Sequence, residues 1–149
     1  MRLRTFAVVA SLLILSMSAV AQNLTPEQKD AIGHWQIIKN NRATGAEVIT
    51  YLENGKLLGK IIKGDTDKDP NGVCTKCSGE LRDKKIVGMV FLRGFSPDGD
   101  GWSGGTVDDP DNGKEYRGKI KSLGKDKLYL RGYVGIPMFG RTETWNRLP

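Results

Sequence analysis

Gly33-His34-Trp35 near one end of the chain and Gly140-Arg141-Thr142-Glu143-Thr144-Trp145-Asn146-Arg147 at the other decide how this sequence reads. Each is a Gly opening a run that carries Trp, and between them lie only short alternating runs and Gly-rich turns. In a closed β-barrel the first and last strands are neighbours. A Trp entering the first and an Arg leaving the last can then meet and seal one end by cation–π contact. Gly33, Trp35, Arg141, Trp145 and Arg147 are therefore the expected closure residues.

Working outward, strand-like runs are expected at residues 34–39, 46–53, 56–63, 84–93, 102–108, 114–121, 128–134 and 141–148. Asn54-Gly55 joins two of them, and Asn-Gly supplies the positive φ that a two-residue hairpin turn needs. Thr25-Pro26-Glu27-Gln28 starts a short helix, with Thr25 as N-cap, Pro26 in the first helical position and Gln28 completing a capping box. No helical pattern follows Ile32, so connections are antiparallel and no crossover is needed. The fold class is all-β: an eight-stranded antiparallel up-and-down barrel with a short N-terminal helix.

Residues 1–21 read as a signal peptide, with Arg2 and Arg4 ahead of an apolar run and Ala19-Val20-Ala21 as the small-residue cleavage pattern. Residues 22–149 are then a single barrel domain, placed in the periplasm or secreted. No transmembrane segment is expected in the mature chain, since no later stretch is apolar and long enough. The leader's two arginines take the formal charge from +6 to +4, a balance that argues against a nucleic-acid partner.

With these residues placed, the chain resembles the bacterial secreted domain-of-unknown-function 2147 (DUF2147) family. The resemblance rests on Gly33-x-Trp35, Gly55-Lys56-Leu57-x-Gly59-Lys60-Ile61, Cys74-x-x-Cys77-x-Gly79-Glu80-Leu81 and Ile86-Val87-Gly88. It continues through Trp102-Ser103-Gly104-Gly105, Asp109-Pro110-x-Asn112-Gly113-Lys114-x-Tyr116, Leu130-Arg131-Gly132-Tyr133-x-Gly135 and Gly140-Arg141-Thr142-x-Thr144-Trp145. That family is similar to the lipocalin and fatty-acid-binding barrels, which also begin with Gly-x-Trp after a short helix. The resemblance implies ligand binding by analogy, and fold alone does not set function.

Cys74-Thr75-Lys76-Cys77 lies in the long irregular stretch 64–82. Outside the cytoplasm such a pair reads first as a structural disulfide pinning that loop, with a redox pair or half of a zinc site as alternatives. Asp65, Asp67 and Asp69 are spaced as in a calcium loop, but Pro70 stands where the sharp-turn Gly belongs and Lys76 where a bidentate Glu is required. A solvated acidic turn is the better reading, and no metal or cofactor is called. Asp98, Asp100, Asp108, Asp109 and Asp111 could supply a carboxylate pair for hydrolysis, yet Asp-Gly and Asp-Pro are ordinary turn formers. His34, the only His, reads as a strand-edge residue rather than a base.

By period two, Arg141, Glu143, Trp145 and Arg147 share one face of the last run. If that face points inward, its charges must be paired or must meet something polar. Lys119, Lys121, Lys125 and Lys127 cluster about one hairpin tip, a solvated tip or an attraction to an anionic envelope surface. Inward phase selects Ile37, Val48, Leu52, Val90, Tyr116, Ile120 and Leu130 as ligand-contacting residues. The expected function is non-enzymatic binding or carriage of a small apolar or amphipathic molecule. The alternatives are a filled, structural barrel and, more remotely, a hydrolase using the Asp-rich turns.

Overall fold

The computed structural model describes residues 23–69 and 71–149. The expected signal peptide and its cleavage point, and Pro70, lie outside the described residues. A short helix α1 (Pro26–Asp30) precedes β1 (Gly33–Lys39), β2 (Arg42–Glu53), β3 (Lys56–Lys63) and β4 (Val90–Asp98). These are followed by β5 (Gly101–Asp109), β6 (Lys114–Leu123), β7 (Lys127–Tyr133) and β8 (Gly140–Arg147). Each strand pairs antiparallel with the next, and β8 returns to β1, closing the sheet.

Closure falls where the two terminal phrases place it. Trp35 pairs with Arg147 across the β1–β8 seam, and the guanidinium lies over the indole, 4.2 Å from its centroid. The same guanidinium donates to the carbonyls of Asp30, Ile32 and Lys125, so one side chain ties the helix, the strand entry and the β6–β7 turn together. Gly33 is required by contact: a Cβ there would overlap Arg147 Nη1.

Helix α1 plugs this end. The capping box forms as expected, with Gln28 N–H donating to Thr25 Oγ1 and Thr25 N–H to Gln28 Oε1. Because the Gln28 side chain is buried, its amide must be paired, and it donates to the carbonyls of Gly99 and Gly101. Trp102 Nε1 donates back to Gln28 O, and Ser122 to Glu27 O. Thr50, read in the sequence only as part of a strand, accepts from Trp35 Nε1 and Gly33 N–H and donates to Ala31 O. Inside, Val48, Leu57, Leu92, Phe95, Ile120 and Leu128 fill the closed half of the barrel.

Two strands depart from the sequence reading by more than the one or two residues seen at the ends of the others. The polar cluster after β1 is a two-residue turn, Asn40-Asn41, both with positive φ, so β2 begins at Arg42. The run expected at 84–93 starts at Val90 and continues to Asp98. Residues 84–89 instead fold back: Gly88 N–H donates to Ile61 O and Met89 N–H to Ile86 O.

Candidate functional site

The open half of the barrel holds a cavity of about 520 Å³, within the range of roughly 300–1,000 Å³ usual for small-molecule sites. Its inner wall is apolar: Ile37 of β1, Ile61 of β3, Phe91 of β4, Val107 of β5, Leu130 of β7 and Trp145 of β8. Phe91 and Trp145 pack together with ring centroids 6.0 Å apart. Ile86 and Val87, from the returning loop, and Met138 and Phe139, between β7 and β8, complete the apolar rim.

Charge gathers at the mouth, with Glu143 one step further in, opposite Leu130 on the wall, and most of it is paired across the opening. Lys39, at the end of β1, meets Asp111, in the turn after β5, at 2.7 Å. The two strands lie on opposite walls of the ring. Lys68, from the long loop, reaches the other oxygen of the same carboxylate. Burial works against ionisation of Asp111, but hydrogen bonds from Lys39 and Lys68 outweigh it and hold the carboxyl below its usual range. Lys39 is likewise partly buried, yet its bond to Asp111 and the nearby Glu143 and Asp109 raise its pKa. Arg141 lies 3.2 Å from Asp109 and 3.5 Å from Glu143, and Glu143 accepts from Trp145 Nε1.

The face of β8 that carries Trp145 therefore points inward. Of the expected closure residues, Gly33, Trp35 and Arg147 form the closed end. Arg141 and Trp145 lie at the cavity instead, so they are wall and mouth rather than seal.

The phase reading of ligand contacts divides in the same way. Ile37, Tyr116 and Leu130 line the cavity. Val48 and Ile120 point inward but are buried in the filled half, where no space remains. Leu52 has the right phase but lies beyond the packed end of the barrel, opposite Leu57 and 40% exposed. Val90 is out of phase: the β3–β4 register shifts around Gly59, so Phe91 takes the cavity position. Phe91, Trp145, Ile61 and Lys39 are lining residues missed by phase alone. The signal for Phe91 and Ile61 was the apolar content of their runs.

Cys74 and Cys77 form a disulfide. Their loop packs on the β5–β6 turn: Lys76 Nζ donates to Asp111 O, and Gly113 sits so close beneath Lys76 O that a Cβ would overlap it. The bridge thus pins the segment that carries the mouth carboxylates.

The remaining candidates do not assemble. Asp65 and Asp69 accept from backbone N–H groups two residues on, and among the described residues no group of three or more His, Cys, Asp or Glu is placed to hold a metal. Asp98 and Asp100 sit in the turn at the closed end, Asp108 lies on the outer face against Arg93, and Asp109 and Asp111 are at the mouth in ion pairs. His34 pairs with Glu47 on the outer face at 2.8 Å. The lysine tip lies at the closed end, and Lys121 is paired with Asp100 at 2.7 Å. No helix among the described residues is long and apolar enough to cross a membrane.

These features define a class: a lipocalin-like barrel, sealed at one end by a helix and an arginine and hollow at the other. A similar solved structure, described as protein HP1028 from the human pathogen Helicobacter pylori and as belonging to the lipocalin family, shares this fold. The two are 23% identical with a TM-score of 0.70, over 80% of this chain and 83% of that one. The chain belongs to the DUF2147 family, described as uncharacterized protein conserved in bacteria, whose model matches residues 33–147. No curated protein matches the sequence.

Proposed function

We propose that the protein is a non-enzymatic binder or carrier of one small apolar or amphipathic molecule, working in the cell envelope after its leader is removed. The observation that carries this reading is the division of the barrel into a filled half and a hollow half. Closed barrels of eight strands can be packed solid. Here Trp35, Val48 and Ile120 do fill one end, while the apolar walls formed by Ile37, Phe91 and Leu130 enclose space. Apolar surface left facing a cavity forgoes roughly 25 cal/mol per Å² of burial, which an apolar guest would recover. Polar groups at the mouth suit a guest whose polar end stays near water. The lipocalin-like fold supports binding over catalysis, and the Asp residues, divided between two ends and an outer face, favour no hydrolytic pair.

Native mass spectrometry of the protein purified from the cells that make it tests the reading. A co-purifying small molecule released by organic solvent is the expected result. A chain of bare mass that also fails to take up any of a panel of fatty acids, lysophospholipids and sterol-like probes would overturn it.

A further inference from the structure

At the open end, the loop joining β7 to β8 presents Val134, Ile136, Met138 and Phe139 to solvent, at 65, 51, 76 and 71% exposure. Single exposed apolar side chains are ordinary, but four within six residues are not. Two further observations show what medium this loop suits. First, the carbonyls of its apolar tip are prepared for desolvation. Every carbonyl from Ile136 to Phe139 already accepts a bond from within the protein: Ile136 O from Phe139 N–H, Phe139 O from Val134 N–H, Pro137 O from Arg131 Nε and Met138 O from Arg131 Nη2. Pro137 brings no N–H. A loop that stays in water needs no such provision, because water serves the carbonyls. A loop that enters hydrocarbon does, since an unpaired carbonyl is costly there.

Second, the charge of the loop and its root has one sign, while Asp109, Asp111 and Glu143 on the same rim are held in pairs with Arg141, Lys39 and Lys68. From Lys127 to Thr142 the sequence has no Asp or Glu. Arg131 is held only by carbonyl and hydroxyl oxygens, and Arg117, opposite Tyr133 at the root of the loop, is in no ion pair among the described residues. An apolar tip with Arg117 free and Arg131 without a carboxylate partner at its root, among the described residues, matches the interface of an anionic bilayer, with the apolar side chains among the acyl chains and the Arg117 guanidinium at the phosphates.

We infer that the β7–β8 loop docks the open end of the barrel onto an anionic lipid bilayer. Docked this way, Met138 and Phe139 connect the membrane to the cavity they also line, so an apolar guest could pass between them without crossing water. The surface stands whether or not the cavity is occupied. It also lies at the opposite end from the lysine tip that the sequence offered for an anionic surface.

The test places one reporter at each end. The three native tryptophans are buried, and because Trp145 lines the cavity their signal is taken from the unsubstituted chain with the same vesicles and subtracted. Phe139→Trp in the full chain is mixed with vesicles of phosphatidylethanolamine and phosphatidylglycerol in a three-to-one ratio, or with vesicles of phosphatidylcholine alone. Leu123→Trp, exposed at the lysine tip, is the matched control. The expected result is a blue shift of emission, with quenching by bromine-labelled acyl chains, for the reporter at 139 on anionic vesicles. It should be several-fold weaker on phosphatidylcholine and be lost when Met138→Asp is added. No shift at 139 with anionic vesicles, or a shift at 123 alone, would overturn the proposal. So would concentration-dependent dimerisation in sedimentation that Met138→Asp abolishes, since the loop would then serve a second copy.

Discussion

Lys39 Nζ and Asp111 Oδ2 stand 2.7 Å apart across the mouth of the barrel, although β1 and β5 are on opposite walls. An ion pair that spans an opening does what one along a strand cannot: it narrows the way in. Exposed pairs contribute only about 0.2–1 kcal/mol to stability, so the main effect should be on exchange. Asp111→Asn should speed the release of an apolar fluorescent guest several-fold in stopped flow while changing the unfolding free energy by no more than about 1 kcal/mol. An unchanged release rate would show that the mouth is not limiting.

The pH dependence of the same pair follows from its sign. Asp111 is held below its usual range in the folded chain, so its contribution is present above the unfolded value and is lost only as pH falls through the depressed one. Lys39 is raised, so its contribution is complete below its unfolded value and is lost as pH climbs past the raised one. Guest release should therefore be flat from about pH 5 to 9 and accelerate on the acid side. A midpoint near neutrality would mean that another group controls the mouth.

Arg147 is expected to be the most sensitive single position of the closed end. It donates to three carbonyls and covers Trp35. Arg147→Ala should cost about 2–4 kcal/mol in urea unfolding, and Arg147→Lys should recover little, because a point ammonium cannot serve a fan of carbonyls. Full rescue by Lys would reduce the seal to simple charge.

Thr50→Val keeps the shape of a buried side chain and removes the acceptor of the Trp35 and Gly33 N–H groups. Stranding these donors should cost about 1–3 kcal/mol, read by thermal unfolding. A loss below a few tenths would mean that water replaces the hydroxyl.

Asp108 points the other way. Burial raises its carboxyl above the usual range; Arg93 opposes this, and the nearby Glu115 adds to the rise. Arg93 Nη2 lies 2.7 Å from Asp108 Oδ2 but out of hydrogen-bond line, leaving that oxygen in charge contact without a hydrogen bond. A raised carboxyl destabilises the fold when ionised, so its contribution improves as pH falls through the raised value. Asp108→Asn should leave stability at neutral pH equal or higher and remove that dependence. A loss of more than about 1 kcal/mol would show that the Arg93 contact outweighs burial.

Much of the closed end could be read before the structure, because its parts announce themselves locally. Gly33-x-Trp35, the Thr25–Gln28 capping box and a terminal Arg147 each carry a residue type with few other uses at that spacing. The cavity could not be read so well. Period two reports which face a side chain takes, not which half of the barrel is filled, so Ile37 and Leu130 were found while Val48 and Ile120 proved to be core. Val90 failed because the irregular β3–β4 register shifts the phase by one, a backbone event with no clear residue signature. The pairing of Lys39, Lys68 and Asp111 joins three distant segments, and no local pattern encodes it.

The binding function proposed for this protein depends on the open half of the barrel taking up one apolar guest. Titration with N-phenylnaphthylamine, an uncharged probe that fluoresces in apolar surroundings, tests it most directly when run beside Leu130→Trp, which fills the cavity from β7. Saturable uptake of one probe per chain is expected, with affinity at least about tenfold weaker in the filled variant at unchanged stability. Equal uptake by both chains, or none by either, would contradict it.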